Sequence, residues 1–75
     1  MQRLEVVVLV DTMRLKKLRC SMGYFTAASF ARALGMAKAN YNNRECGRVP
    51  FSASEVVQVC NLLEIPIEEG ISFLT

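Results

Sequence analysis

The chain of 75 residues contains no histidine, and that absence removes much of the usual repertoire of sites. The commonest metal ligand and the commonest general base at neutral pH are both missing. Cysteine is present three times, as Cys20, Cys46 and Cys60. The number is odd, and no two stand in a Cys-x-x-Cys pair. A disulfide scaffold and a zinc site are therefore poor readings. Free thiols in a reducing cytosol fit better. Cys20 and Cys60 fall at apolar-periodic positions and are expected in the core. An enzyme is the weakest functional reading. The sequence offers no paired carboxylates in a plausible pocket and no glycine loop for phosphate. Cys46 is the one conceivable nucleophile, and no base stands near it. No cofactor, metal or small-molecule substrate is implied.

Long apolar runs are lacking too. The stretch Val6 to Val10 is too short to span a membrane. Arg3 precedes it, but basic residues follow it in place of a small-residue cleavage pattern, so a signal peptide is not indicated. A cytoplasmic protein of a bacterial cell, close to the nucleoid and free of membrane, is the expectation. No repeat, linker or low-complexity segment is visible. The length allows one domain with a modest core, and 52% apolar residues argue against disorder. A homo-oligomer is a natural way to bury the surplus.

Acid is scarce where base is plentiful. Between Thr12 and Arg48 stand eight basic residues and one acid, Glu45, a net charge of +7. From Val49 onward there is no base and there are four acids, a net −4. One part of the molecule suits a polyanion and the other does not. A solvated basic surface without a partner accounts for the charge equally well.

Residues 1–11 read as an apolar N-terminal segment and residues 12–75 as the folded domain. The Val- and Leu-rich run from Leu4 to Val10 favours a strand, with a buried helix as the competing reading. The other segments look helical, so pairing with the same strand of a second subunit is one solution. Asp11 is positioned to cap a helix over Thr12 to Met22, with Leu15, Leu18 and Met22 on its inner face. Gly23 ends it. Thr26 caps a second helix, Ala27 to Leu34, with Phe30, Ala31 and Leu34 inward and Gly35 as its stop. A third helix spans about Lys38 to Glu45 around Tyr41 and stops at Gly47. Ser52 and Glu55 form a capping box for a fourth helix, with Val56, Val59, Cys60 and Leu63 inward. Pro66 suits the first turn of a short fifth helix, whose inner side carries Ile67, Ile71 and Leu74. Gly70 weakens that helix by roughly 1 kcal/mol against Ala. Tyr24 and Phe25 read as core, Phe51 and Phe73 as core or dimer contacts, and Met36 as turn packing.

Two short helices joined by a glycine-containing turn, from Phe25 to Gly47, define a helix-turn-helix. The third helix carries Lys38, Ala39, Asn42 and Asn43 off its core face. Asn both donates and accepts at an adenine edge, Lys donates to guanine, and Ala permits close approach to a thymine methyl. A helix that merely faces water more often carries Glu and Lys at i, i+4. The Asn residues are poor helix formers, and as plain surface residues they cost a few tenths of a kcal/mol each.

The ordered set Leu15-x-x-Leu18-Arg19, Met22-Gly23, Thr26-x-x-x-Phe30-Ala31-x-x-Leu34-Gly35 and Tyr41-x-x-x-Glu45-x-Gly47 resembles the Cro-type, lambdoid phage repressor-like (XRE) helix-turn-helix family. The resemblance runs from about Thr12 to Leu74. It implies an all-α, compact five-helix domain and a transcription regulator, typically a phage-type repressor. Such a protein acts as a homodimer on a pseudo-palindromic double-stranded DNA operator. It places base reading on Lys38, Ala39 and Asn43, with Asn42 beside them. It assigns phosphate contacts to Thr26, Arg44 and Arg48, and a partly buried salt bridge to Arg19 and Glu45.

The chain departs from the family at several positions. Ala27 stands where a Gln normally braces the DNA backbone. Ala37 stands where a Ser or Thr caps the third helix. Arg44 replaces an apolar residue, and one extra residue, Tyr24 or Phe25, lies before Thr26. The alternative function on the same fold is a protein-interaction module, either an antitoxin or a phage factor that binds a host protein. The acidic, apolar last third and the Leu4 to Val10 segment are both open as dimer interfaces.

Overall fold

The structure is a computed structural model and describes residues 6–75. It contains five helices and two short strands, in the order β1 (Val7–Val8), α1 (Thr12–Ser21), α2 (Ala27–Leu34), α3 (Lys38–Glu45), β2 (Phe51–Ser52), α4 (Ala53–Leu62) and α5 (Ile67–Leu74). Caps set most of the boundaries. Asp11 Oδ1 accepts from the backbone N–H of Met13 and Arg14, Thr26 Oγ1 accepts from Ser29, and Ser52 and Glu55 complete a reciprocal capping box. Ala37 makes no side-chain cap for α3, and Pro66 sits one position before α5 rather than inside it.

The β1 strand pairs antiparallel with β2 of the same chain, Val7 opposite Ser52 and Val8 opposite Phe51. Pairing with a second subunit is therefore not needed to give β1 its ladder. The connection after α3 is extended around Pro50 and supplies the partner that helical periodicity could not reveal. Leu4 and Glu5, also expected in the strand, lie outside the described residues.

The core gathers Leu15, Phe30, Ala31, Tyr41, Phe51, Val56, Val59, Cys60, Leu63 and Leu74. Four aromatic rings run through it edge to face: Tyr24 on Phe30 at 5.1 Å, Phe30 on Tyr41 at 5.4 Å, and Tyr41 on Phe51 at 6.4 Å between centroids. This chain of rings ties the α1–α2 turn, α2, α3 and β2 together. Burial pushes the Cys60 thiol pKa up.

Several expected core positions are exposed instead. In α1 the inward residues are Leu15 and Arg19, one i, i+4 pair, which turns Cys20 outward. Met22 lies beyond the last turn of α1 and is exposed. Phe25 is 76% exposed because Tyr24, its neighbour, takes the place against Phe30. In α5 the inward pair is Gly70 and Leu74, so Ile71 faces out. Phe73 is also exposed and lies under the Arg14 guanidinium, 5.8 Å from its carbon to the ring centroid.

Four helices end in the same hydrogen-bonded reversal. Gly23, Gly35, Gly47 and Glu64 each adopt positive φ, and the following N–H reaches back to a carbonyl of the last turn. Glu64, at φ 59°, is the one non-glycine among the described residues to do so. An L side chain is disfavoured there by roughly 1–2 kcal/mol. Its negative charge also sits at the negative end of α4. Glu64→Gly should therefore stabilise the fold by about 0.5–1 kcal/mol. A chemical-denaturation midpoint at or below that of the parent would contradict this.

Candidate nucleic-acid interface

The second and third helices pack on each other through Phe30, Ala31 and Tyr41, and the turn between them is closed by Gly35 and Met36. Met36 N–H donates to the Ala31 carbonyl at 2.9 Å, which holds α3 at a set angle to α2. Tyr41 and Glu45, at i, i+4, face inward on α3. Lys38, in the first turn, Ala39 and Asn42 are exposed. Helical geometry sets Lys38 and Asn42 one turn apart, with Ala39 beside them.

Asn43 is treated differently by the fold. It is half-buried, and its Oδ1 accepts from Arg48 Nη1 at 3.3 Å. Arg48 N–H also donates to the Asn43 carbonyl, closing the turn at Gly47. The bond from Arg48 Nη1 uses one of the two lone pairs of the Asn43 amide oxygen and leaves its amide N–H groups free. Asn42 is exposed and makes no side-chain hydrogen bond among the described residues. Asn42 is thus unengaged among the described residues, whereas Asn43 is shared with Arg48.

The three expected phosphate residues also differ. Thr26 Oγ1 accepts from the Ser29 N–H at 3.1 Å, which leaves its hydroxyl proton free to donate outward. Arg48 is exposed at the end of α3. Arg44 is already engaged: its Nε lies 2.9 Å from Glu55 Oε2, and its Nη1 donates to the Asn40 carbonyl at 2.9 Å. This pair ties α3 to the start of α4. It was not foreseen from the sequence, because the two residues belong to different helices and nothing local links them. Burial raises the Glu55 pKa, but the Ser52 N–H and the Arg44 guanidinium outweigh it and hold the carboxyl below its usual range.

Glu45, the lone acid of the basic stretch, points into the protein. Its Oε1 accepts from Arg19 Nη2 at 3.1 Å, and the two side chains are 4% and 7% exposed. Arg19 also donates through Nη1 to the Tyr24 carbonyl at 2.6 Å, which fixes the α1–α2 turn. The Tyr41 hydroxyl lies in the same cluster. Its pKa is pushed far above the usual value, first by burial and then by the neighbouring Glu45. Neutralised by Arg19, Glu45 does not oppose an anion at the outer face. The α2 and α3 sequences present no other carboxylate, while Arg32 and Lys38 are exposed.

Among the described residues, no group of three His, Cys, Asp or Glu could hold a metal ion, and no helix is long and apolar enough to cross a membrane. Comparison with family models, curated proteins and solved structures returns no match for this chain.

Proposed function

We propose that this chain binds double-stranded DNA in a sequence-dependent way, as a transcription regulator that laps a helix-turn-helix onto a two-fold operator. The observation that carries the reading is the outward side of α3. It presents Lys38, Ala39 and Asn42, with no carboxylate, on a helix whose one acid is buried against Arg19. Those side chains suit base edges in a major groove, which admits one helix. Thr26 and Arg48 stand on either side of them in the chain, with an outward hydroxyl proton and a guanidinium for phosphate. The protein does no chemistry in this role and acts by occupying DNA, as a homodimer that covers two half-sites.

The test is binding of labelled duplexes from the DNA upstream of its own coding sequence, and of duplexes selected from random pools. Affinity should fall linearly on a log–log plot against salt, with a slope of about −0.9 per phosphate contact. Lys38→Ala and Asn42→Ala should each weaken the selected sequence about tenfold and flatten its preference over random DNA. Arg48→Ala should weaken all sequences alike and reduce the salt slope by about 1. Absence of any shift at low salt, from both duplex sources, overturns the reading.

A further inference from the structure

The last helix carries a surface that neither the core nor the α2–α3 pair uses. It packs on α1 and α4, with Gly70 and Leu74 buried. Helical spacing sets Glu69 and Phe73, at i, i+4, together on one flank of α5. On that flank lies an open cleft of about 280 Å³, lined by Leu18 of α1 and by Ile65, Glu69 and Phe73. Pockets for small molecules span roughly 300–1,000 Å³. This one falls just below that range, so it suits the side chains of a protein segment better than a small ligand.

Three of the lining residues are apolar and the fourth is a carboxylate. Glu69, its neighbour Glu68, and Glu64 just before Ile65 are all exposed. None of the three has an ion-pair partner among the described residues. No base follows Arg48, so neither α4 nor α5 supplies one. Arg14 of α1 shares an adjoining hollow with Glu68, Glu69 and Phe73, but it is already engaged. Its Nε lies 3.5 Å from Asp11 Oδ2, and its Nη1 donates to the Phe73 carbonyl at 3.0 Å. The Arg14 guanidinium also lies over the Phe73 ring, which therefore already attracts one cation within the chain. A second cation entering the cleft would meet that ring and the Glu69 carboxylate together.

We propose that this cleft docks another protein, through a segment that offers Lys or Arg beside apolar side chains. The apolar part seats on Leu18, Ile65 and Phe73, and the cation meets Glu69, with Glu64 and Glu68 adding to the attraction. Charge selects the occupant. Three unpaired carboxylates repel a nucleic acid or an anionic membrane surface. A second copy on a two-fold axis is disfavoured as well, because a self-matching contact sets the acidic patch against itself. Lys38, Ala39 and Asn42 line no part of the cleft, so docking here does not depend on DNA binding.

The probe is a displayed library of random peptides panned on the purified full chain. Counter-selection on Glu69→Lys, which should melt with the parent because Glu69 is exposed, removes peptides held elsewhere, such as acidic ones on the basic face. The survivors should carry Lys or Arg within a few positions of Leu, Ile, Met or Phe. For a synthetic copy of an enriched peptide, Phe73→Ala should weaken binding at least about tenfold. Replacing the peptide's basic residue by Gln, or its apolar residue by Ser, should do the same, and these two measurements need no variant of the chain. No enrichment over the counter-selection overturns the inference. So do survivors without a basic residue, or peptides whose binding ignores both replacements. Sedimentation closes the remaining case: a parent that self-associates and that Glu69→Lys renders monomeric has a second copy in the cleft, which also overturns it. Peptide binding as expected in a chain that binds no duplex leaves this site standing and removes the DNA reading alone.

Discussion

Replacing Glu45 by Ala should cost the fold about 3–5 kcal/mol, because it leaves the Arg19 guanidinium buried without a counter-charge. Arg19 is 7% exposed on its side chain, and Glu45 lies 3.1 Å from it. A domain of this size is held by roughly 4–11 kcal/mol in all. The loss is thus a large share of the total, and the midpoint of thermal unfolding should fall by about 15–30 °C. Glu45→Gln should fall less, since its amide oxygen still accepts from Arg19 Nη2. Replacing both partners by apolar residues should fall less than Glu45→Ala as well, because removing a whole buried pair strands no charge. A Glu45→Ala protein that melts with the parent would show that the pair contributes nothing.

The same pair has a consequence for function. Arg19 is bonded to the Tyr24 carbonyl as well as to Glu45. One guanidinium thus joins α1, the turn before α2, and the end of α3. Loosening it would let α3 tilt against α2 before the whole domain unfolds. In a partly destabilised variant such as Glu45→Gln, sequence preference for DNA should therefore suffer more than salt-dependent, general affinity. Base contacts depend on the setting of α3, whereas phosphate contacts do not depend on it so closely.

Much of this framework is legible in the sequence, because capping chemistry is local. Asp11, Thr26, Ser52 with Glu55, and the glycines at 23, 35 and 47 mark where helices start and stop, and the structure places the ends within a residue or so. The Arg19–Glu45 pair is not readable from spacing, because the two residues lie on different helices. What escaped is rotational and non-local. Short helices with apolar residues on several sides leave their inward face open. Periodicity points Met22, Cys20 and Ile71 inward, while the packing buries Arg19 and Gly70. Phe25 and Tyr24 are adjacent and equally apolar, and only the position of the Phe30 ring decides between them. The Arg44–Glu55 and Arg48–Asn43 bonds change which side chains are available to DNA. The first depends on where α3 ends relative to α4, and the second on how the turn at Gly47 folds back on α3.

Gly70 shows most clearly how packing overrides a local rule. By helix propensity alone, Gly70→Ala in α5 should stabilise the protein by about 1 kcal/mol. The opposite is expected. Gly70 is buried where α5 crosses α4, and a Cβ built there would stand 2.3 Å from Cys60 Sγ and 3.2 Å from Ile65 Cδ1. Cys60 is itself enclosed in the core with Val56, Val59 and Leu63, so its sulfur has little room to retreat. Overpacking of this kind costs about 1–3 kcal/mol. Set against the propensity gain of about 1 kcal/mol, it should leave Gly70→Ala below the parent by up to about 2 kcal/mol. The sulfur is the main obstacle, because the next contact on that residue, Cys60 Cβ at 3.5 Å, is ordinary van der Waals distance. Cys60→Ala should therefore relieve the strain, and the double variant should be more stable than the two single losses added together predict, by about 1 kcal/mol. Denaturation curves of the four proteins measure that coupling directly. A Gly70→Ala variant more stable than the parent would mean that α5 sits further from α4 than this packing requires, and that Gly70 is an ordinary weak point in an exposed helix.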